Sequence, residues 1–183
     1  MEESRLKGKG LYCCFVDFKK AFDMVPRDLL WKRMEELQVP HEYMQAVAHI
    51  YEKVVCQVRF GEKMSQIFPS DVGVKQGCPL SPTLFGLCID CLEHMVLEYA
   101  YQEGIEDVSI RNAIIMLLLY ADDVVLLAHT LQDAQKLMDV LKLFCMHSGL
   151  VVNVQKIEVM LVKSLKKNKR ICMLYNNEPI EVV

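Results

Sequence analysis

Asp122 and Asp123 stand side by side inside an otherwise apolar run, Ala113-Ile-Ile-Met-Leu-Leu-Leu-Tyr120-Ala-Asp-Asp-Val-Val-Leu-Leu-Ala128. The flanks read as two strands, over about 113–120 and 123–128, which puts the acids at a hairpin tip. Ionised carboxylates among apolar neighbours are costly, and adjacent ones repel. No Lys or Arg lies between Asn112 and Gln135 to offset them. A divalent cation is the expected partner, because hard cations take carboxylate oxygens. The tip itself, Tyr120-Ala-Asp-Asp123, holds neither Gly nor Asn and is a poor two-residue turn. Unfavourable turn chemistry at a charged tip points to function overriding local preference.

The rest of the chain supplies a frame for this hairpin. Leu11-Tyr-Cys-Cys-Phe-Val-Asp17 is β-prone and ends in an acid. Pro26-Arg27-Asp28 opens a helix to about Leu37. A second helix covers His41 to Val54, with Tyr43, Met44, Val47, Ile50 and Tyr51 on one side. Val55–Phe60 and Met64–Phe68 flank a turn at Gly61-Glu62-Lys63, and Gly73–Pro82 is a structured loop. One long helix is predicted from Thr83 to about Tyr101, capped by Ser81 with Pro82 at its first position. Thr130 caps a further helix whose stripe of Leu131, Ala134, Leu137, Met138, Leu141 and Phe144 runs to His147 and ends at Ser148-Gly149. Val151–Val162 is extended, interrupted by Asn153, Gln155 and Lys156. A basic turn at 166–170 precedes a last hairpin over about 171–183, around Asn176-Asn177.

With the helical insert after the first strand set aside, the order is strand, helix, strand, strand, helix, strand. This is an α+β, ferredoxin-like split β-α-β arrangement. Its first strand lies beside the central hairpin, so Asp17 is expected to meet Asp122 and Asp123. No repeat or linker divides residues 1–183, which read as a single domain with its core over about 11–163.

Composition limits the alternatives. An apolar fraction of 52% excludes a fully disordered chain. With a net charge of −3, a nucleic-acid partner has to be held by local basic surface, not by overall charge. Of the eight cysteines only Cys88 and Cys91 form a C-x-x-C, without a second pair, so free thiols in a reducing compartment are expected. The start is polar and no apolar run reaches membrane-spanning length. The expected setting is intracellular, in cytoplasm or nucleus, neither secreted nor membrane-bound. The five histidines show no ligand spacing.

Four motifs in order carry a resemblance: Phe15-Val-Asp-Phe-Lys-Lys-Ala-Phe22-Asp23, Gly73-Val-Lys-Gln-Gly-Cys-Pro-Leu-Ser-Pro82, Tyr120-Ala-Asp-Asp123 and Gly149-Leu-Val-Val-Asn-Val-Gln-Lys156. From about Leu11 to Val162 the chain resembles the reverse transcriptase domain of non-LTR (LINE-type) retrotransposons, with group II intron and telomerase catalytic subunits as more distant relatives. The resemblance implies a polymerase palm using two Mg²⁺ ions, with Mn²⁺ as a substitute, held by Asp17, Asp122 and Asp123. It implies an RNA template, a DNA primer and dNTPs as partners. Phe22 matches the aromatic under the sugar that excludes a 2′-hydroxyl. Gln76 matches the glutamine at the incoming nucleotide, and Gly77 lets the backbone approach. Tyr120 matches the residue at the primer end. Lys156 matches a lysine proposed to protonate pyrophosphate, with Asn153 its companion.

The chain departs from the pattern at Ile157, where the family usually has Thr. Fingers and thumb segments are expected to be largely absent, which leaves apolar surface open and favours self-association. The rival expectation is a catalytically silent retroelement remnant serving, if at all, as a nucleic-acid- or protein-binding module.

Overall fold

The computed structural model describes residues 10–162 and 172–181. In chain order its elements are β1 (Leu11–Asp17), α1 (Ala21–Met24), α2 (Arg27–Glu36), α3 (His41–Tyr51), β2 (Val55–Cys56), β3 (Arg59–Phe60), β4 (Lys63–Met64) and β5 (Phe68–Pro69). There follow α4 (Ser81–Ile89), α5 (Cys91–Gln102), β6 (Ser109–Ile110), β7 (Ala113–Ile114), β8 (Leu117–Tyr120) and β9 (Asp123–Ala128). The last are α6 (Leu131–Ser148), β10 (Glu158–Val162), β11 (Cys172–Tyr175) and β12 (Glu178–Glu181). They form two compact units, residues 22–88 and the remainder. The predicted basic turn at 166–170 lies outside the described residues.

The larger unit is built on a four-stranded sheet in the order β10-β1-β9-β8, antiparallel throughout. With α5 after β1 and α6 after β9, this is the expected ferredoxin-like arrangement. Period-two alternation divides the sheet into two faces. Cys14, Val16, Val124, Leu126 and Val159 lie on one face and are buried. They turn toward α6, which packs on β1 and β9 and buries Ala134, Leu137, Met138, Leu141 and Phe144. The opposite face changes along its length. Leu11, Cys13 and Leu127 are buried with Val108 at one end. Toward the other end Phe15 is 39% exposed, Leu118 is exposed and Tyr120 is 82% exposed. Asp17 and Asp123 lie at this open end.

The helix that backs the sheet is closed at both termini. The Asp133 amide donates to Thr130 Oγ1 at 3.1 Å, and the Thr130 hydroxyl donates to Asp133 Oδ2 at 2.6 Å. Such a cap stabilises by about 1 kcal/mol. Gly149 ends the helix in the left-handed region at φ 71°. The C-terminal hairpin turns at Asn176-Asn177, both at positive φ (50° and 66°), a turn that suits this residue pair. Gln135 on α6 holds it like a neighbouring strand: its amide donates to the Leu174 carbonyl and its oxygen accepts the Leu174 N–H, both at 2.8 Å.

Several stretches depart from expectation. The helix from His41 ends at Tyr51, and Tyr51 is its one buried residue; Tyr43 is 65% exposed. The apolar stripe of α3 is partly covered: Tyr51 is buried, Met44 and Val47 are half-buried, and Tyr43 and Ile50 are exposed. The hairpin around Gly61-Glu62 forms as two short rungs, β3 with β4 and β2 with β5, because the Ser65 hydroxyl and carbonyl engage Val58 and Gln57 in place of a continuous ladder. The predicted long helix is interrupted at Asp90, which keeps helical angles (φ −53°, ψ −36°). Ser81 does not cap α4. It is buried, and its hydroxyl donates to the Lys75 carbonyl at 2.6 Å, serving the preceding loop. In the larger unit the predicted 113–120 strand is likewise split, β7 pairing with β6 and β8 with β9. Among the described residues no helix is long and apolar enough to cross a membrane.

Gly73 and Gly77 both have positive φ (83° and 79°) but differ in their surroundings. A Cβ at Gly73 would stand 2.7 Å from the Asp23 carbonyl oxygen, whereas one at Gly77 would meet nothing within 4 Å. Gly73→Ala is therefore expected to cost roughly 3 kcal/mol or more, and Gly77→Ala about 1 kcal/mol, the left-handed backbone term alone. Urea unfolding of the two variants checks this; equal losses would refute the clash.

Candidate active site

The sheet register brings two of the predicted acids together. Asp17 on β1 is paired directly with Asp123 on β9, and Asp123 is paired with Tyr120 across the hairpin. Directly opposed residues of antiparallel strands point to the same face, about 5 Å apart at Cβ. Two carboxylates in that position repel, so the pair demands a cation. Asp122 occupies the turn next to them and is half-buried, while Asp123 is exposed. The acids are thus not buried among their apolar flanks, as their sequence setting suggested. The turn carries them clear at the end of the sheet.

The turn is strained in the way its composition predicts. Ala121 has φ 51°, a left-handed conformation that costs a non-glycine residue roughly 1–2 kcal/mol. A glycine here would relieve the strain but loosen the tip.

Lys156 supplies a cation that no local reading of the hairpin could find. Its ammonium lies 3.0 Å from Asp17 Oδ2. The Asn153 amide donates to the same oxygen at 3.4 Å, and the Asn153 N–H donates to the Asp17 carbonyl at 2.8 Å. Both residues sit on the short 3₁₀ turn that precedes β10, so the interruption of the extended segment by Asn153, Gln155 and Lys156 is what aims them at Asp17. Ile157, the departure from the family pattern, is buried beneath that turn. Lys156, Asp17, Asp123, Glu158, Phe15 and Val125 line one open recess of about 570 Å³.

Among the described residues no three His, Cys, Asp or Glu side chains stand close enough to hold a metal ion together. The chemistry of the donors present nevertheless suits a hard divalent cation. They are carboxylates on one face, open on one side to further oxygen ligands. The neighbouring thiols do not compete. Burial, with Cys13 beside it, pushes the Cys14 thiol up to about 12, and burial raises Cys13 as well.

Phe22, Gln76 and Gly77 belong to the smaller unit, where they share a recess of about 400 Å³ with Cys78, Pro79 and Pro82. Phe22 stacks on Phe85, ring centroids 5.1 Å apart. Gln76 donates to Asp23 Oδ1 at 2.9 Å. Two residues that sequence reasoning passed over fix this loop. The Asp23 backbone receives Gly73 in close contact, while the Phe22 and Val25 carbonyls accept the Val74 and Gly73 amides at 2.7 and 2.8 Å. Arg27 then donates to the Gly73 carbonyl (3.0 Å) and the Val72 carbonyl (3.2 Å), its guanidinium 5.0 Å from the centre of the Tyr51 ring. Asp23 appears in the sequence within Ala-Phe-Asp, but nothing in the spacing ties it to a loop fifty residues on. Arg27 reads as an ordinary first-turn residue of α2.

A family model described as reverse transcriptase (RNA-dependent DNA polymerase) matches residues 1–180. The chain is 27% identical over 172 residues to a retrovirus-related Pol polyprotein from a type-1 R2 retrotransposable element of Nasonia vitripennis, covering 93% of this chain and 16% of that relative. It is 30% identical over 162 residues to the polyprotein of the R2DM element of Drosophila melanogaster, covering 88% of this chain and 15% of that one. An uncharacterized 149 kDa protein of transposon TX1 from Xenopus laevis is 26% identical, with 89% and 12% covered. The chain therefore spans about one sixth or less of these relatives. Among solved structures, apo telomerase from Candida tropicalis, truncated from the C-terminal domain, superposes with a TM-score of 0.66 at 17% identity, over 98% of this chain and 36% of that one. Telomerase from Candida albicans with a fragment of telomeric RNA gives 0.64 at 15%, over 94% and 31%. At such identities the structural likeness speaks for the fold.

Two outcomes follow from the geometry. Ala121→Gly is expected to hold or raise stability, by up to about 1 kcal/mol, since it removes left-handed strain. A clear loss in urea unfolding would contradict the strain. Arg27→Ala is expected to cost roughly 1.5–3 kcal/mol through the lost charge-assisted bonds to loop carbonyls, read in the same experiment.

Proposed function

Because the chain belongs to the reverse transcriptase (RNA-dependent DNA polymerase) family, we propose that its sheet unit is the palm of a non-LTR retrotransposon polymerase, transferring deoxynucleotides from dNTPs to a primer 3′-hydroxyl on an RNA template. The observation that carries this reading is the direct pairing of Asp17 with Asp123, with Asp122 beside them in the turn. Asp17 and Asp123, with Asp122 drawn in from the adjoining turn, would hold two divalent ions, Mg²⁺ or in its place Mn²⁺. When bound, such ions acidify the 3′-hydroxyl and neutralise charge on the triphosphate and departing pyrophosphate.

The remaining steps fall to the chain's own groups. Positioning and charge neutralisation dominate in-line phosphoryl transfer, so rigid placement matters most. β1 and β9 supply it for the acids, being paired over six consecutive residues. Tyr120, largely exposed and paired with Asp123, offers a ring surface for the primer end. Phe22, backed by Phe85, and Gln76, tied to Asp23, are set to receive the sugar and base of a nucleotide. Gly77 at positive φ leaves room for close backbone approach. Lys156 places an ammonium where phosphate charge would gather. The Candida albicans telomerase of the same fold was solved with a fragment of telomeric RNA, which supports a nucleic-acid partner. Phe15, Leu118, Tyr120 and Met160 on the open face also favour association of isolated chains.

Primer extension on an RNA template with Mg²⁺ tests the reading. The chain is expected to extend the primer, and Asp122→Ala to lower the rate at least ~100-fold. Extension that survives in Asp122→Ala would overturn the assignment of the acids. Inactivity of both chains would favour a catalytically silent remnant. Static light scattering is expected to show mass rising above 21.1 kDa as concentration increases; a constant monomer mass would rule out self-association.

A further inference from the structure

We propose that Lys156 is the resident counter-cation of Asp17, and that a divalent ion binding at the acidic end of the sheet competes with its ammonium for the same carboxylate. This deepens the metal reading above and rests on it. Three observations carry the inference. First, the contact is direct: Nζ stands 3.0 Å from Asp17 Oδ2, an oxygen that also accepts from the Asn153 amide. Second, the position is one that needs positive charge, because Asp17 faces Asp123 across the β1–β9 ladder, and like charges directly opposed are unfavourable. Third, Lys156 can withdraw without rearranging the backbone. Its amide is tied to the Asn153 carbonyl at 2.9 Å, Ile157 behind it is buried, and Glu158 two residues on is already paired with Phe15. The stem itself is free to swing: the Lys156 side chain is 63% exposed, against 22% for Asp17.

A hard cation and an ammonium cannot share one carboxylate oxygen at close range without repelling. Binding of the ion therefore weakens the ion pair, and the ion pair weakens binding of the ion by the same factor. Lys156 is long enough to remain over the same recess after it leaves, so loading the acids frees an ammonium beside them. Because the ammonium end of the pair is largely exposed, the pair is weak, and the competition amounts to on the order of threefold to fivefold in affinity.

Mn²⁺ alone, titrated into the full chain and followed by the paramagnetic resonance signal of the free ion, tests this without any polymerase activity. The unaltered chain is expected to bind Mn²⁺, and Asp17→Asn to lose that binding. Lys156→Met, which keeps the stem and removes the charge, is expected to tighten binding about threefold to fivefold, and Lys156→Gln to do the same. Lys19→Met removes an equal, exposed charge that is not the one paired with Asp17 and is expected to tighten binding less than Lys156→Met does. If Lys156→Met and Lys156→Gln bind as the unaltered chain does, or no more tightly than Lys19→Met, the competition is refuted while the metal site stands. If the unaltered chain and Asp17→Asn are indistinguishable, the metal reading fails and the inference falls with it.

Discussion

The pairing of Asp17 with Asp123 is the constraint on which the site depends. It sets two like charges opposite one another at the end of two strands whose other residues are apolar. The cost is tolerated because both strands are anchored elsewhere. One face of the sheet is buried against α6, and the far end of the other face is closed by Leu11, Cys13, Leu127 and Val108. A register slip of one residue would turn Cys14 and Val16 outward and carry Asp17 into the core, so burial of the inner face locks the acids into position. The alternation that builds the core thus also delivers the two carboxylates to one face.

Electrostatic demand at this pair explains features that look unrelated in the sequence. The 3₁₀ turn before β10 interrupts an otherwise extended segment, and it aims Asn153 and Lys156 at Asp17. Ala121 takes a left-handed conformation where glycine would be easier, in the turn that carries Asp122 beside the pair. In the smaller unit the same economy appears in different chemistry. Gly73 has no side chain because the Asp23 backbone occupies the space, and Arg27 ties the loop carbonyls down. Gln76 on that loop donates in turn to Asp23.

Much of this was legible in the sequence, for identifiable reasons. The strand ending in Asp17, the helix from Thr130 to Gly149 and the Asn176-Asn177 turn all follow from local signals: alternation, capping chemistry and residues suited to positive φ. The sheet order followed from element order alone. What was not legible depends on contacts between distant segments. Lys156 was legible as a site residue only through its motif; its pairing with Asp17 was not, since that partner lies on the first strand. Arg27 and Asp23 gave no sign of holding a loop near residue 73. The helix from His41 was read three residues too long, because the apolar pattern runs on through Val54 while the helix ends at Tyr51. Ser81 has the composition of a helix cap, yet its hydroxyl is engaged by the Lys75 carbonyl, a competition that only tertiary structure reveals.

On this reading Asp17 and Asp123, with Asp122 at the turn, form an oxygen site for a divalent ion. Anomalous diffraction from crystals of the chain soaked in Mn²⁺ examines it most directly. The account predicts an anomalous peak about 2.0–2.3 Å from a carboxylate oxygen of Asp17 and in reach of the hairpin acids. A manganese peak only at other carboxylates, with Asp17 still bound to Lys156, would contradict it.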